Sequence, residues 1–153
     1  MAEVFRSDEA GQSAAVVGQL VLRADRVVAD WVAKRLSATP WAGSFAAIGV
    51  LDKNRSGLIA GAVYHGFDGR NVIMSIAADS PNWSRKGILK SLFHYPFNSL
   101  GCQRVTATVD ESNHRSLRLC RGLGFVQEGI IRQGADDGDV VLLGLLKAEC
   151  RFL

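Results

Sequence analysis

Proline, paired cysteine and long apolar runs are all scarce in this chain. Three prolines among 153 residues rule out a proline-rich linker or a collagen-like repeat. The three cysteines, Cys102, Cys120 and Cys150, are odd in number and lack C-x-x-C spacing, so neither a disulfide framework nor a cysteine-based metal site is expected, and free thiols in a reducing cytoplasm are. Histidine is equally thin: His65, His94 and His114 are not spaced as ligands, and no metal is expected. No run approaches the roughly 18 apolar residues of a membrane span, and the start, MAEVFRSDEAG, has no charged-then-apolar signal pattern. The net charge of +3 is scattered instead of gathered into a basic stripe, which argues against nucleic acid as a partner while still favouring a small anionic ligand.

What the chain does have is the length of one domain, with 48% hydrophobic and 22% charged residues, enough to bury a core. Residues 1–153 are expected to form a single domain. Val16 to Leu22 reads as a first strand. Asp25 to Leu36 reads as a helix with Val27, Val28, Trp31, Val32 and Leu36 on one face. Phe45 to Leu51, Leu58 to Phe67 and Arg70 to Ala78 read as three antiparallel strands, the last two joined by Asp68-Gly69, a pair suited to a two-residue type I′ turn. A helix from Lys86 to about Leu100 follows, then a β-branched strand, Gln103 to Val109. Asn113 to Phe125 is a short helix, capped by Asn113 and stopped by Gly124. Phe125 to Arg132 and Val140 to Leu146 are the last strands, turned by Asp137-Gly138. Hairpins followed by alternating strands and helices predict an α/β (α+β) domain: a mixed, mostly antiparallel sheet of about six to seven strands with helices on both faces. The unpaired edges of such a sheet leave room for a homodimer.

Two stretches carry chemistry. Ser84-Arg85-Lys86-Gly87-Ile88 lies between a strand and a helix start, where free backbone N–H groups and the positive dipole end attract anions. The helix opening at Asn113 and Ser116 follows the next strand and puts its N-terminus on the same sheet edge, the usual place for a nucleotide in α/β folds. Each stretch also has a plainer reading, as a solvated basic turn and as an ordinary helix cap.

The run Asn113, Ser116, Leu123, Gly124, Phe125, Glu128, Gly129 has the form N-x-x-S-x-x-x-x-x-x-L-G-F-x-x-E-G. It resembles the C-terminal half of the GCN5-related N-acetyltransferases, the GNAT superfamily. Arg132 and the closing segment Asp139 to Cys150 resemble the ribosomal-protein N-terminal acetyltransferase-like subgroup and small phage and prophage members. The resemblance covers roughly Phe45 to the C-terminus. It implies direct transfer of an acetyl group from acetyl-CoA to a primary amine, a peptide or protein α-amine or a small amine. It also implies a GNAT-like sheet, with Met74, Ile76 and Ala77 offering backbone groups to the pantetheine arm. Ser84, Arg85, Lys86, Gly87 and Ile88 would then surround the pyrophosphate, and Asn113, Ser116 and Arg121 would reach the cofactor from the next helix. Of the three positions of the family's R/Q-x-x-G-x-G/A loop, occupied here by Ser84, Gly87 and Leu89, only Gly87 matches. Leu89 is expected to crowd the pyrophosphate. A non-catalytic acyl-CoA-binding or protein-interaction module with the same fold is the alternative.

Acid–base groups are also scarce. The stretch Asn71 to Ala78 contains no carboxylate, and Asp79 is the first to follow. Many family members place a tyrosine acid where this chain has Cys120. A thiol of ordinary pKa about 8.5 can protonate a departing thiolate, so Cys120 and Ser116 are the catalytic candidates. Cys120 also shares a helical stripe with Leu117 and Leu123, which is the pattern of a packing residue.

Overall fold

The computed structural model describes residues 13–153; the signal-sequence reading of MAEVFRSDEAG lies outside them. The strands are β1 (Ala15–Val17), β2 (Leu20–Leu22), β3 (Phe45–Leu51), β4 (Leu58–His65), β5 (Asn71–Ala78), β6 (Arg104–Asp110), β7 (Val126–Ala135) and β8 (Gly138–Leu146). The helices are α1 (Asp25–Leu36), α2 (Lys86–His94) and α3 (His114–Leu123). One eight-stranded sheet runs in the order β1-β2-β3-β4-β5-β6-β8-β7. Only β5 and β6 pair in parallel; every other neighbour is antiparallel. The sheet therefore has more strands than the six to seven expected. The surplus comes from Val16 to Leu22, which Gly18, at φ 61°, folds into a hairpin of two short strands instead of one long one.

α1 covers one face over β3 to β5, burying Val28, Ala29, Val32 and Ala33. The sequence pattern put Val27 on that face, yet Val27 is 67% exposed. Close approach explains the rotation: a Cβ at Gly61 of β4 would lie 2.8 Å from Val32 Cγ2 and 3.0 Å from Val28 Cγ1. With the contact stripe set by Val28, Ala29, Val32 and Ala33, about 100° per residue carries Val27 to the opposite side of the helix. The helix stops at Ser37, in the left-handed region at φ 50°.

α2 and α3 pack on the opposite face, where Leu89, Leu92, Phe93, Leu117 and Leu123 join β6 and β8 in the main core. α2 does not run on to Leu100 as a regular helix. Pro96 has no N–H, so the carbonyl of Leu92, four residues earlier, loses its helical partner, and the chain widens into a π-helical turn over Tyr95–Ser99. The buried Tyr64 hydroxyl supplies the missing donor, 2.7 Å from the Leu92 carbonyl oxygen.

The β4–β5 connection also differs from expectation. The ladder ends at His65↔Ile73, and residues 66–70 form a longer loop with Gly66 and Gly69 at positive φ. Asp68 stays at negative φ, and its Oδ1 accepts from the N–H groups of Arg70 and Asn71 at 2.9 and 2.7 Å, closing the loop through its side chain.

Because Gly61 is the point where α1 touches the sheet, Gly61→Ala should destabilise the fold by about 1–3 kcal/mol through overpacking. Urea unfolding should show a lowered midpoint with an unchanged slope.

Candidate active-site cleft

β5 and β6 stay together for only three residue pairs, Asn71↔Arg104, Val72↔Val105 and Ile73↔Thr106. Beyond these, β5 follows β4 as far as Ala78 while β6 follows β8 as far as Asp110, and the sheet parts between them. Strand alternation identifies the backbone groups exposed in the gap. The Asp79 N–H donates to the Ile59 carbonyl at 2.8 Å, so Ala77 and Ser75 also turn their backbone groups to β4, and Met74, Ile76 and Ala78 turn theirs into the gap. On the far side, the Glu111 N–H donates to the Asp139 carbonyl at 3.0 Å, which by the same rule turns Thr108 and Asp110 into the gap.

Two adjoining cavities occupy this opening. The inner one, about 230 Å³, is walled by Met74, Ile76, Thr108, Cys120 and Phe125, with Trp41 and Leu36 from the α1 side. Among the described residues Asp110 is the only charged one in its wall. The outer one, about 410 Å³, is walled by Arg35, Ala77, Asp79, Ser84 and Arg115, and it shares Asn113 and Ser116 with the inner cavity. Asn113 caps α3, its Oδ1 accepting from the Ser116 N–H at 3.1 Å.

The electrostatics differ between the two. Arg35 donates to both Asp79 carboxylate oxygens, at 2.8 and 2.9 Å, while its guanidinium lies 3.4 Å from the Trp31 ring centroid. The Arg35 hydrogen bonds hold the Asp79 carboxyl below the usual carboxylate range, so Asp79 is committed to that ion pair and is a poor base. Burial pushes the Cys120 thiol up to about 11, against a smaller opposing pull from Arg121. It stays protonated at neutral pH, and giving its proton to a thiolate of ordinary pKa about 8.5 is uphill. His65, beside Trp41 with ring centroids 5.8 Å apart, is held below its ordinary pKa by burial. Among the described residues no cluster of histidine, cysteine or carboxylate groups could hold a metal ion, and no helix is long and apolar enough to cross a membrane.

No protein-family model matches the sequence, and no curated protein matches it. Solved structures do. A ribosomal-protein-S5-alanine acetyltransferase from Vibrio fischeri aligns over 92% of this chain and all of its own, at TM-score 0.64 and 15% identity. Mutant forms of a spermidine/spermine N-acetyltransferase from Vibrio cholerae align over 85% of this chain and 96% of theirs, at TM-score 0.63 and 19% identity. A probable acetyltransferase reaches 25% identity over 69% of this chain and 62% of its own, at TM-score 0.56.

The fold is that of the GNAT acetyltransferases.

Against this GNAT frame the expected site residues fall into three groups. Met74, Ile76, Ala77, Ser84, Asn113, Ser116 and Cys120 all line the cleft. Of the β5 pair, Ile76 directs its N–H inward and Ala77 does not. Arg85, Lys86 and Gly87 are exposed at the start of α2, outside both cavity walls, and the Ile88 side chain is buried in the core. Arg121 lies at the other end of α3, where it donates to Gln127 Oε1 at 3.4 Å. Leu89 does not crowd the loop as expected: it is 6% exposed and points into the core. A Cβ at Gly87 would meet nothing within 4 Å, so that corner is open. Sequence reading missed Arg35, Trp41 and Arg115. Arg115 lies between two motif positions and carried a signal; Arg35 and Trp41 come from the first third of the chain and carried none.

With a pKa near 11, Cys120 should react with iodoacetamide at pH 8 about 100-fold more slowly than free cysteine. Peptide mapping of the labelled intact protein checks this; labelling at the free-cysteine rate would contradict the burial argument.

Proposed function

We propose that the chain is an acetyl-CoA-dependent N-acetyltransferase that passes an acetyl group directly to a primary amine. The observation that carries this reading is the parted sheet, where β5 leaves β6 after Ile73↔Thr106, so that the backbone groups of Ile76 and the carbonyl of Met74 turn into a cleft with no strand opposite them, while Arg115 holds the Ala78 carbonyl at 3.3 Å. A pantetheine arm, itself a chain of amides, fits such free backbone donors and acceptors. Thr108 offers its backbone groups and Asp110 its N–H from the other side, the Asp110 carbonyl being taken by the Asn113 N–H at 2.9 Å. The cleft residues therefore suit this co-substrate, which supplies an activated acyl group when bound.

In this reading the Ile76 N–H is the donor that polarises the acyl carbonyl, a role any residue type can fill. Ser116 Oγ, in the wall of both cavities, donates a hydrogen bond to the departing sulfur, and Cys120 packs beside it as a neutral thiol. Trp41 and Asp110 border the place for the acceptor amine. A carbon–nitrogen bond replaces the carbon–sulfur bond, and the proton lost by nitrogen balances the one gained by sulfur through solvent. The cytoplasmic setting belongs to the same proposal.

Because Asp110 is the lone charged residue of the inner cavity among the described residues, the site favours an amine that is neutral without help. Deprotonation at pH 7 costs about 1 kcal/mol for an α-amine and about 4.6 for a lysine side chain. A peptide α-amine should thus be acetylated faster than a lysine peptide at pH 7, with the gap closing as pH rises toward 10. Equal rates at pH 7 would point instead to an efficient base.

The poverty of charged groups also favours a second reading, an acyl-CoA-binding module without turnover. Calorimetry with acetyl-CoA, followed by thiol release across a panel of amines, separates them. Binding with release supports the enzyme and binding without release supports the module. No binding at millimolar acetyl-CoA would remove both.

A further inference from the structure

The outer cavity contains two guanidinium groups and one carboxylate, from Arg35, Arg115 and Asp79. The carboxylate is taken: Arg35 holds both its oxygens. Arg115 has no such partner among the described residues. Its one hydrogen bond, Nη2 to the Ala78 carbonyl, is long at 3.3 Å, and a guanidinium carries five N–H donors. Arg115 also adds to the electrostatic lowering of the Asp79 carboxyl, so all three groups share one small region with a net positive charge. Ser84 stands in the same wall, at the end of the loop that leads into α2. The other cations near that loop, Arg85 and Lys86, lie in neither cavity wall.

From this arrangement, and resting on the acyl-CoA reading above, we infer that Arg115 is the pyrophosphate-binding side chain of the cleft. It supplies from α3 the fixed cation that the loop before α2 does not place in the wall. A guanidinium binds a phosphate through two parallel hydrogen bonds, which fixes orientation as well as charge. Its tether to Ala78 keeps it at the end of β5, level with the unpaired backbone groups that would hold the thiol arm. Arg35, neutralised by Asp79, contributes little net charge and works as the strut that holds the end of α1 against β5.

The test is titration calorimetry of the full chain and of Arg115→Ala, Arg115→Lys and Arg118→Ala. The probes are CoA, dephospho-CoA, pantetheine and inorganic pyrophosphate. Arg118 is an exposed arginine of the same helix outside both cavities, so its variant removes equal charge without touching the site. Arg115→Ala should weaken CoA and dephospho-CoA alike, by about 10- to 100-fold, the loss expected for charge-assisted hydrogen bonds. It should abolish pyrophosphate binding and leave pantetheine within about twofold, with Arg115→Lys recovering part of the loss. The inference is overturned if Arg115→Ala binds CoA like the parent, if pantetheine falls by the same factor, or if Arg118→Ala loses as much. Loss for CoA but not for dephospho-CoA would move Arg115 to the 3′-phosphate and overturn it too. If the parent protein binds pyrophosphate through Arg115 but not CoA, the anion site stands and the acyl-CoA reading falls. If it binds neither, both fall.

Discussion

The short parallel seam between β5 and β6 governs everything around the cleft. Three residue pairs hold the two halves of the sheet together, and a polar cluster secures the seam where it ends. Thr106 Oγ1 donates to Asn71 Oδ1 at 2.6 Å across the two strands. Arg104 Nε approaches both, and its Nη2 donates to Glu128 Oε2 on β7 at 2.7 Å. Four strands are thereby tied at one level, since Glu128 and Arg104 both lie over Gly144 of β8, where a Cβ would strike them. If the pairing extended three residues further, the gap would close and Ile76 would bond to β6. If it were shorter, nothing would set the width of the opening. This cluster is half-exposed, so its worth lies in fixing register more than in raw stability.

Helices on opposite faces then complete the cleft. α1 sends Arg35, Leu36 and the following Trp41 to it from one side, and α3 sends Asn113, Ser116 and Cys120 from the other. The opening thus passes through the sheet, with one end holding two guanidinium groups and the other walled by apolar and uncharged polar groups together with Asp110. Under the proposed function, a co-substrate with a charged head and a reactive tail would match that arrangement along its length, and an amine entering from the other face would need no path past the guanidinium end.

Much of the fold was legible in the sequence. Phe45–Leu51 and Asp25–Leu36 were bounded as they stand, because an apolar run between polar turns and an apolar helical stripe are local signals. The failures are tertiary in origin. Val27 faces solvent because Val28 and Val32 make the contact at Gly61, which turns Val27 to the other side of α1. The helix after Lys86 changes character because a tyrosine from β4 satisfies a carbonyl that Pro96 leaves free. The Asp68-Gly69 pair marked the right place, but the turn is longer than two residues and is closed by the Asp68 side chain together with its N–H, which donates to the Asn71 carbonyl at 3.2 Å. In the cleft, the motif around Asn113 and Ser116 marked a helix that lines both cavities, and of the glycine loop only Ser84 reaches a cavity wall. Depth was invisible: spacing could not show that Ile88 and Leu89 turn inward, that Arg85 and Lys86 stay outside, or that Arg115 reaches the wall.

The sheet's outer strand has a consequence of its own. β7 is long and carries exposed Val126, Ile130 and Ile131, the profile of a strand on which other chains could stack. Its pairing with β8 is broken twice, between Gln127 and Gly129 and between Ile131 and Ala135, and Gln133 sits at φ 54°. Only Gly129 to Ile131 remains regular between the two breaks, and the kinks on each side twist the edge away from flatness. The same bulge that lets Glu128 reach Arg104 thus also bends the exposed edge strand, so one irregularity shapes both the seam and the outer border of the sheet.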